Sequence, residues 1–191
     1  MKRIRQMMLV ALLVAGAARA TEVVNEKVHL QLALFPPVQL ASADSDVTGL
    51  RLGLFAMNHN VTGLDLGVLN WATGDELAAQ WGVMNIVGGK FTGAQFGLVN
   101  LDGGRFLGWQ VSTVNIDGGE AIGFLSGVVN LGWDTVTGVQ LGPINYASSM
   151  TGLQLGFINM ADHLEGLQIG ILNFAFSKEH LPILPIINWN F

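Results

Sequence analysis

The sequence predicts an all-β fold: an antiparallel up-and-down transmembrane β-barrel of 10 to 12 strands, built from single-strand repeats of 14 to 15 residues, with a β-solenoid as the alternative. Three observations carry this expectation. A glycine recurs at fixed spacing, residues alternate with period two inside each repeat, and Asp-Gly pairs stand between repeats.

The glycine column comprises Gly49, Gly63, Ala78, Gly93, Gly108, Gly123, Gly138, Gly152 and Gly166. A second small-residue column follows four residues later, from Gly53 to Gly170, with Ser112 in one place. Between them lie Gln80, Gln95, Gln110, Gln140, Gln154 and Gln168, with Arg51, Asp65 and Leu125 in the same slot of the remaining repeats. Asparagine stands seven residues after the first glycine, from Asn70 to Asn173, with Ala56 as the exception. Self-similarity of this kind decides a fold before any local propensity does.

In Thr151-Gly152-Leu153-Gln154-Leu155-Gly156-Phe157 the leucines and phenylalanine share one face of an extended strand, and Gly152, Gln154 and Gly156 share the other. Glycine at this density destabilises a helix by roughly 1 kcal/mol per residue. Asp102-Gly103 and Asp117-Gly118 match the type I′ hairpin turn, whose central residues both need positive φ. Such turns place Gln95 opposite Gln110 and Gly97 opposite Gly108. They make glutamine the midpoint of a nearly palindromic strand, as a meander of like strands requires. Strands of about 12 residues tilted near 40° cover roughly 30 Å, enough to span a bilayer. On that reading the Leu/Leu/Phe face meets lipid. The six glutamines, with Arg51 paired to Asp65, face a narrow or closed lumen, which Val99, Ile158 and Leu172 narrow further. The asparagines fall near the strand ends at the water interface. A strand over 28–35, nine repeats and a C-terminal strand make eleven, against the even numbers of bacterial barrels. Either Pro36-Pro37 divides two short strands or one segment lies outside the wall.

Residues 1–20 read as a signal peptide: basic Lys2, Arg3 and Arg5, an apolar stretch from Met7 to Ala18, then Ala18-Arg19-Ala20 as a cleavage pattern. Residues 21–191 then form a single β-repeat domain with five basic and fourteen acidic residues, a net charge of −9. That balance disfavours nucleic acid as a partner. The chain has no cysteine, which removes a lipidated N-terminal cysteine, disulfides and thiolate metal sites. A charged fraction of 12% with 25 glycines suggests that much of the surface meets lipid.

The C-terminal Ile187, Trp189 and Phe191 share one face and end on an aromatic. This segment resembles the assembly signal of bacterial outer-membrane barrels, although Pro182 and Pro185 each remove a ladder donor. The reiterated Gly-Leu-Gln-Leu-Gly-x-x-Asn over residues 47–175 resembles the leptospiral-type surface-repeat proteins of bacterial envelopes. The resemblance implies location and architecture, with outer-membrane lipid and the barrel assembly machinery as partners, and no chemistry.

No constellation points to an enzyme, a cofactor or a metal. His29, His59, His163 and His180 are scattered, with no i, i+4 pair. Ser112 reads as the next-smallest residue in a glycine column. Gly88-Gly89-Lys90 lacks the first glycine and the final Ser or Thr of a phosphate loop. Asp44-Ser45-Asp46 reads as a solvated loop. The expected role is therefore a structural or surface-exposed envelope protein of the outer membrane, or, in the alternative fold, a surface or periplasmic binding module.

Overall fold

A computed structural model describes residues 26–191, and every element in it is a strand. They are β1 (Lys27–Phe35), β2 (Val38–Gln39), β3 (Asp46–Asn58), β4 (Val61–Ala72), β5 (Glu76–Trp81), β6 (Met84–Val87), β7 (Phe91–Phe96), β8 (Val99–Asp102), β9 (Phe106–Val111), β10 (Val114–Asp117), β11 (Ala121–Ser126), β12 (Val129–Leu141), β13 (Ile144–Leu155), β14 (Ile158–Ala175) and β15 (Ile183–Asn190). The expected signal peptide lies outside the described residues.

Consecutive repeats run parallel, so the chain is a stacked β-solenoid of about ten turns and not an antiparallel barrel. Gly93 lies in register with Gly108, and Gln80, Gln95 and Gln110 stack in line. The expected pairing of Gly97 with Gly108 does not occur. The hairpin reading fails at the turn amides: Gly103 N–H donates to the Val87 carbonyl at 2.8 Å and Gly118 N–H to that of Asp102 at 2.7 Å. Both bonds run to the coil beneath instead of across a hairpin. The transmembrane strands and the lumen of the sequence reading are withdrawn with the barrel.

Each coil has two flat sides and two edges, as the fourth coil of the series illustrates. Phe91–Phe96 forms the first side, Gly97 and Leu98 turn an apex, Val99–Asp102 forms the second side, and Gly103-Gly104-Arg105 closes the opposite edge. Neighbouring coils lie about 4.8 Å apart. Because the chain bends at the apex, alternation does not carry through it with unchanged phase. Gln95 and Asn100 both point inwards although five residues separate them, and both are fully buried. The asparagines therefore line the interior and not a water interface. Val99, Ile158 and Leu172, expected to narrow a lumen, lie on the outer surface of the second side.

The interior is divided. Beside the turn edge it is mainly apolar, with Val61, Phe91, Phe106, Val136, Met150 and Leu164 in one stack that Glu76 interrupts, and with Asp102 and Asp117 buried opposite. Phe91 and Phe106 lie face to face at 5.5 Å. Towards the apex it is amide. Both ends of the stack are covered. At one end Gln31 of β1 lies in register with Arg51, extending the glutamine column by a coil, and exchanges hydrogen bonds with the Ala41 backbone at 2.9 and 3.1 Å. Pro36-Pro37 does separate the short β1 and β2. At the other end β15 runs antiparallel over β14, and Asn188 Nδ2 donates to Gln168 Oε1 at 3.3 Å. Ile187 and Trp189 stay on the outer surface of this closing strand and Phe191 follows it, all three exposed.

Candidate functional site

Two amide ladders run the length of the solenoid, because a side chain placed identically in stacked coils meets its own copy one coil away. Asn85 Nδ2 donates to Asn100 Oδ1 at 2.8 Å, and the series continues in one direction from Asn70 to Asn173. The second Nδ2 hydrogen usually reaches a carbonyl at the apex of the next coil, as from Asn130 to Leu141 at 3.1 Å. The glutamines donate the opposite way, Gln95 to Gln80 at 2.8 Å and Gln168 to Gln154 at 2.7 Å. Leu125 interrupts that series and leaves Gln110 Oε1 without a donor. Ser112, the one hydroxyl in the apex column, donates to Asn115 Oδ1 at 2.7 Å. That bond ties its proton into the ladder and away from any base.

Arg51 and Asp65 lie side by side in register, wholly buried, and form a two-pronged pair with Nε–Oδ1 and Nη2–Oδ2 both at 2.6 Å. The Arg51 Nη1 donates to the Trp71 carbonyl at 3.0 Å. Glu76 lies 3.9 Å from the guanidinium and accepts from Gln80 at 3.0 Å. Its burial, reinforced by the Asp65 charge, holds the Glu76 carboxyl well above the ordinary range. That direction favours the neutral form of Glu76 beside the Arg51–Asp65 pair and so limits unpaired buried charge.

Asp102 and Asp117 form a second acidic site, in register on consecutive coils and buried. Gln110 Nε2 donates to both, at 2.5 and 3.4 Å. Burial pushes Asp117 up to about 7, and burial together with the Asp117 charge holds Asp102 well above the carboxylate range. Asp-Gly turn chemistry places Asp102 and Asp117 in hairpin turns, and no local motif marks Glu76. The only available signal was that each falls in the alternation phase of an inward position.

The folded state holds protons on these acids that the unfolded chain has released. Their contribution to stability is therefore complete below the unfolded value near 4, and is lost as pH rises through about 7. The unfolding midpoint in denaturant is expected to fall between pH 5 and pH 8, with a slope of up to about 1.4 kcal/mol per pH unit for each titrating group. In the Asp102→Asn/Asp117→Asn protein that slope should flatten. An unchanged slope in the double variant would assign the pH dependence elsewhere.

The outer surface reverses the usual order of a water-soluble protein. Five columns point outwards on the two sides and the apex, beginning at Leu50, Leu52, Leu54, Phe55 and Met57 and repeating through nine coils. None of these positions holds a charged residue, and Ser126, Thr113 and Tyr146 are the polar ones. The apex column is the most open, with Leu98 56% and Phe157 62% exposed. At about 4.8 Å per coil and 3.3 Å per residue the surface is on the order of 1,000 Å², well above the largest patch on a typical monomer.

The charges of the repeat region lie in the interior and at the turn edge, which carries Asp75, Lys90, Arg105, Glu120, Asp134 and Asp162, with Glu165 of β14 exposed on the first side next to that edge. Arg105 and Glu120 pair there at 2.9 Å, both about half exposed, a contact that contributes little to stability. The described residues include no group of three His, Cys, Asp or Glu able to hold a metal, and the four histidines stay apart. Gly88-Gly89-Lys90 is one of the edge turns.

No protein-family model matches the chain, and neither a comparison with curated proteins nor one with solved structures gives a match.

Proposed function

We propose that the chain is an exported envelope protein whose solenoid is a binding module, not an enzyme, and that it engages its partner through the apolar outer surface. The observation that carries this reading is the set of five uncharged outward columns running unbroken through nine coils. Single exposed apolar residues are ordinary, whereas a contiguous surface of this size marks an interaction site. The inward amides and carboxyls are buried and closed off from a ligand in solution. The basic and apolar character of residues 1–20, and the resemblance of the repeat to surface-repeat proteins, support export to the periplasm or cell surface.

The folded full-length chain is expected to bind an environment-sensitive apolar dye such as anilinonaphthalene sulfonate, with emission shifted to the blue. Val83→Glu/Leu98→Glu, two substitutions at the apex, should reduce that binding severalfold while leaving the circular dichroism of the sheet unchanged. A folded chain that stays monomeric in plain buffer and binds no dye would falsify the proposal.

A further inference from the structure

We infer that the partner of this apolar surface is a phospholipid leaflet, into which the solenoid sinks edge-on with its apex down and its turn edge in the headgroups. This inference rests on the binding-module reading and names the occupant. The first argument is shape. Apolar residues cover three contiguous sides, namely two opposed flat sides and the apex between them, and a fluid surrounds all three where a single protein surface meets one. The second is depth. From the first outward column to the apex is four residues, about 13 Å at 3.3 Å each. One leaflet contributes about 15 Å, half of a hydrocarbon core of about 30 Å. The band is too shallow to span the bilayer and of the right height to enter one leaflet.

The third argument is the sorting of residues by depth. Above the first outward column on one side stands a mixed row, Thr48, Thr62, Thr92, Thr137 and Thr151 with Leu77, Leu107, Ile122 and Glu165, and above it the charged turns. On the other side the row nearest the turns holds Trp71 and Tyr146 among aliphatic residues, Met57, Met160 and Phe174. Tyr146 keeps its ring among apolar neighbours, packed on Trp133 at 5.5 Å, while its hydroxyl donates upward to Asp162 at 2.9 Å. Tryptophan and tyrosine gather at this level of a bilayer, where one end is dry and the other wet. The fourth argument is backbone chemistry. The sides of stacked parallel coils expose no unmet amide, since ladder bonds run from coil to coil along the solenoid. The glutamine and asparagine side chains of the repeats are turned inward, where they join the two amide ladders.

The absence of cysteine allows a single reporter at a chosen depth. A nitrobenzoxadiazole fluorophore is attached to Leu98→Cys at the apex and, separately, to Lys90→Cys at the turn edge. Each labelled full-length chain is then mixed with phosphatidylcholine vesicles with or without a nitroxide on the acyl chain. Expected are flotation with the vesicles, little sensitivity to salt, and a severalfold rise of the apex signal that acyl-chain nitroxide quenches while the edge signal stays accessible to aqueous quencher. Val83→Glu/Leu98→Glu should lower the vesicle partition coefficient by about a hundredfold.

Flotation with both reporters equally accessible to water would place the contact at the N-terminal apolar stretch and overturn the inference. Failure to float, with a dimer that the two apex glutamates dissociate, would also overturn it. The binding-module reading would then stand with a second copy as occupant. Failure to float by a monomer that binds no apolar dye would remove both.

Discussion

Gly108→Ala is expected to abolish the solenoid at room temperature, with a loss of at least about 4 kcal/mol, a size seen only where backbone geometry or a core is broken. Gly108 has φ of +146°, a region that side chains with a Cβ rarely enter. An added methyl would also fall on the Gly93 carbonyl oxygen of the coil beneath, and that oxygen belongs to the backbone and has no room to yield. The same column contains its own control. Ala78 occupies the equivalent slot without a positive φ. Ala78→Gly should therefore cost only about 0.5–1 kcal/mol through added freedom of the unfolded chain. Far-UV circular dichroism and urea titration of the two variants measure the contrast. Comparable losses at residues 78 and 108 would show that the close approach is not what the column requires.

Asp65→Leu is expected to destabilise the fold by about 3–5 kcal/mol, since it leaves the Arg51 guanidinium buried with only a carboxyl 3.9 Å away and one backbone carbonyl. Arg51→Gln/Asp65→Gln should return most of that loss. It replaces the ion pair by the residue that fills this slot in six other coils, and joins Gln31 to Gln80 by one unbroken ladder. Buried ion pairs replaced by matched neutral groups of similar size often lose nothing. Thermal melts of the single and double variants decide the point. A double variant as unstable as the single would mean that the ladder does not tolerate amides at this end.

The alternation, the columns and the inward position of glutamine were all legible in the sequence, because they depend on neighbours two to seven residues apart. The side on which Arg51 and Asp65 sit was legible for the same reason. The asparagines were misplaced because period two was carried through the apex, where Gly97 and Leu98 turn the chain and shift the phase by one residue. That error hid a second apolar side, and with it the three-sided surface that defines the candidate site. It also hid the burial of Asp102 and Asp117, which local turn chemistry assigned to hairpin turns.

By itself the sequence determined that the chain is a repeat of extended segments with small residues at fixed places and amides between them. It left open whether neighbouring segments run together or against one another. A near-palindrome centred on glutamine sets Gln95 beside Gln110 in a hairpin and in a stack alike, so short-range pattern matching is degenerate between the two. Only the tertiary structure chose, by bending each repeat at its apex into a coil and bonding turn amides such as Gly103 N–H to the coil beneath. A bond between residues 16 apart is set by how the whole unit closes on itself, and that closure turned the amides in and the leucines out.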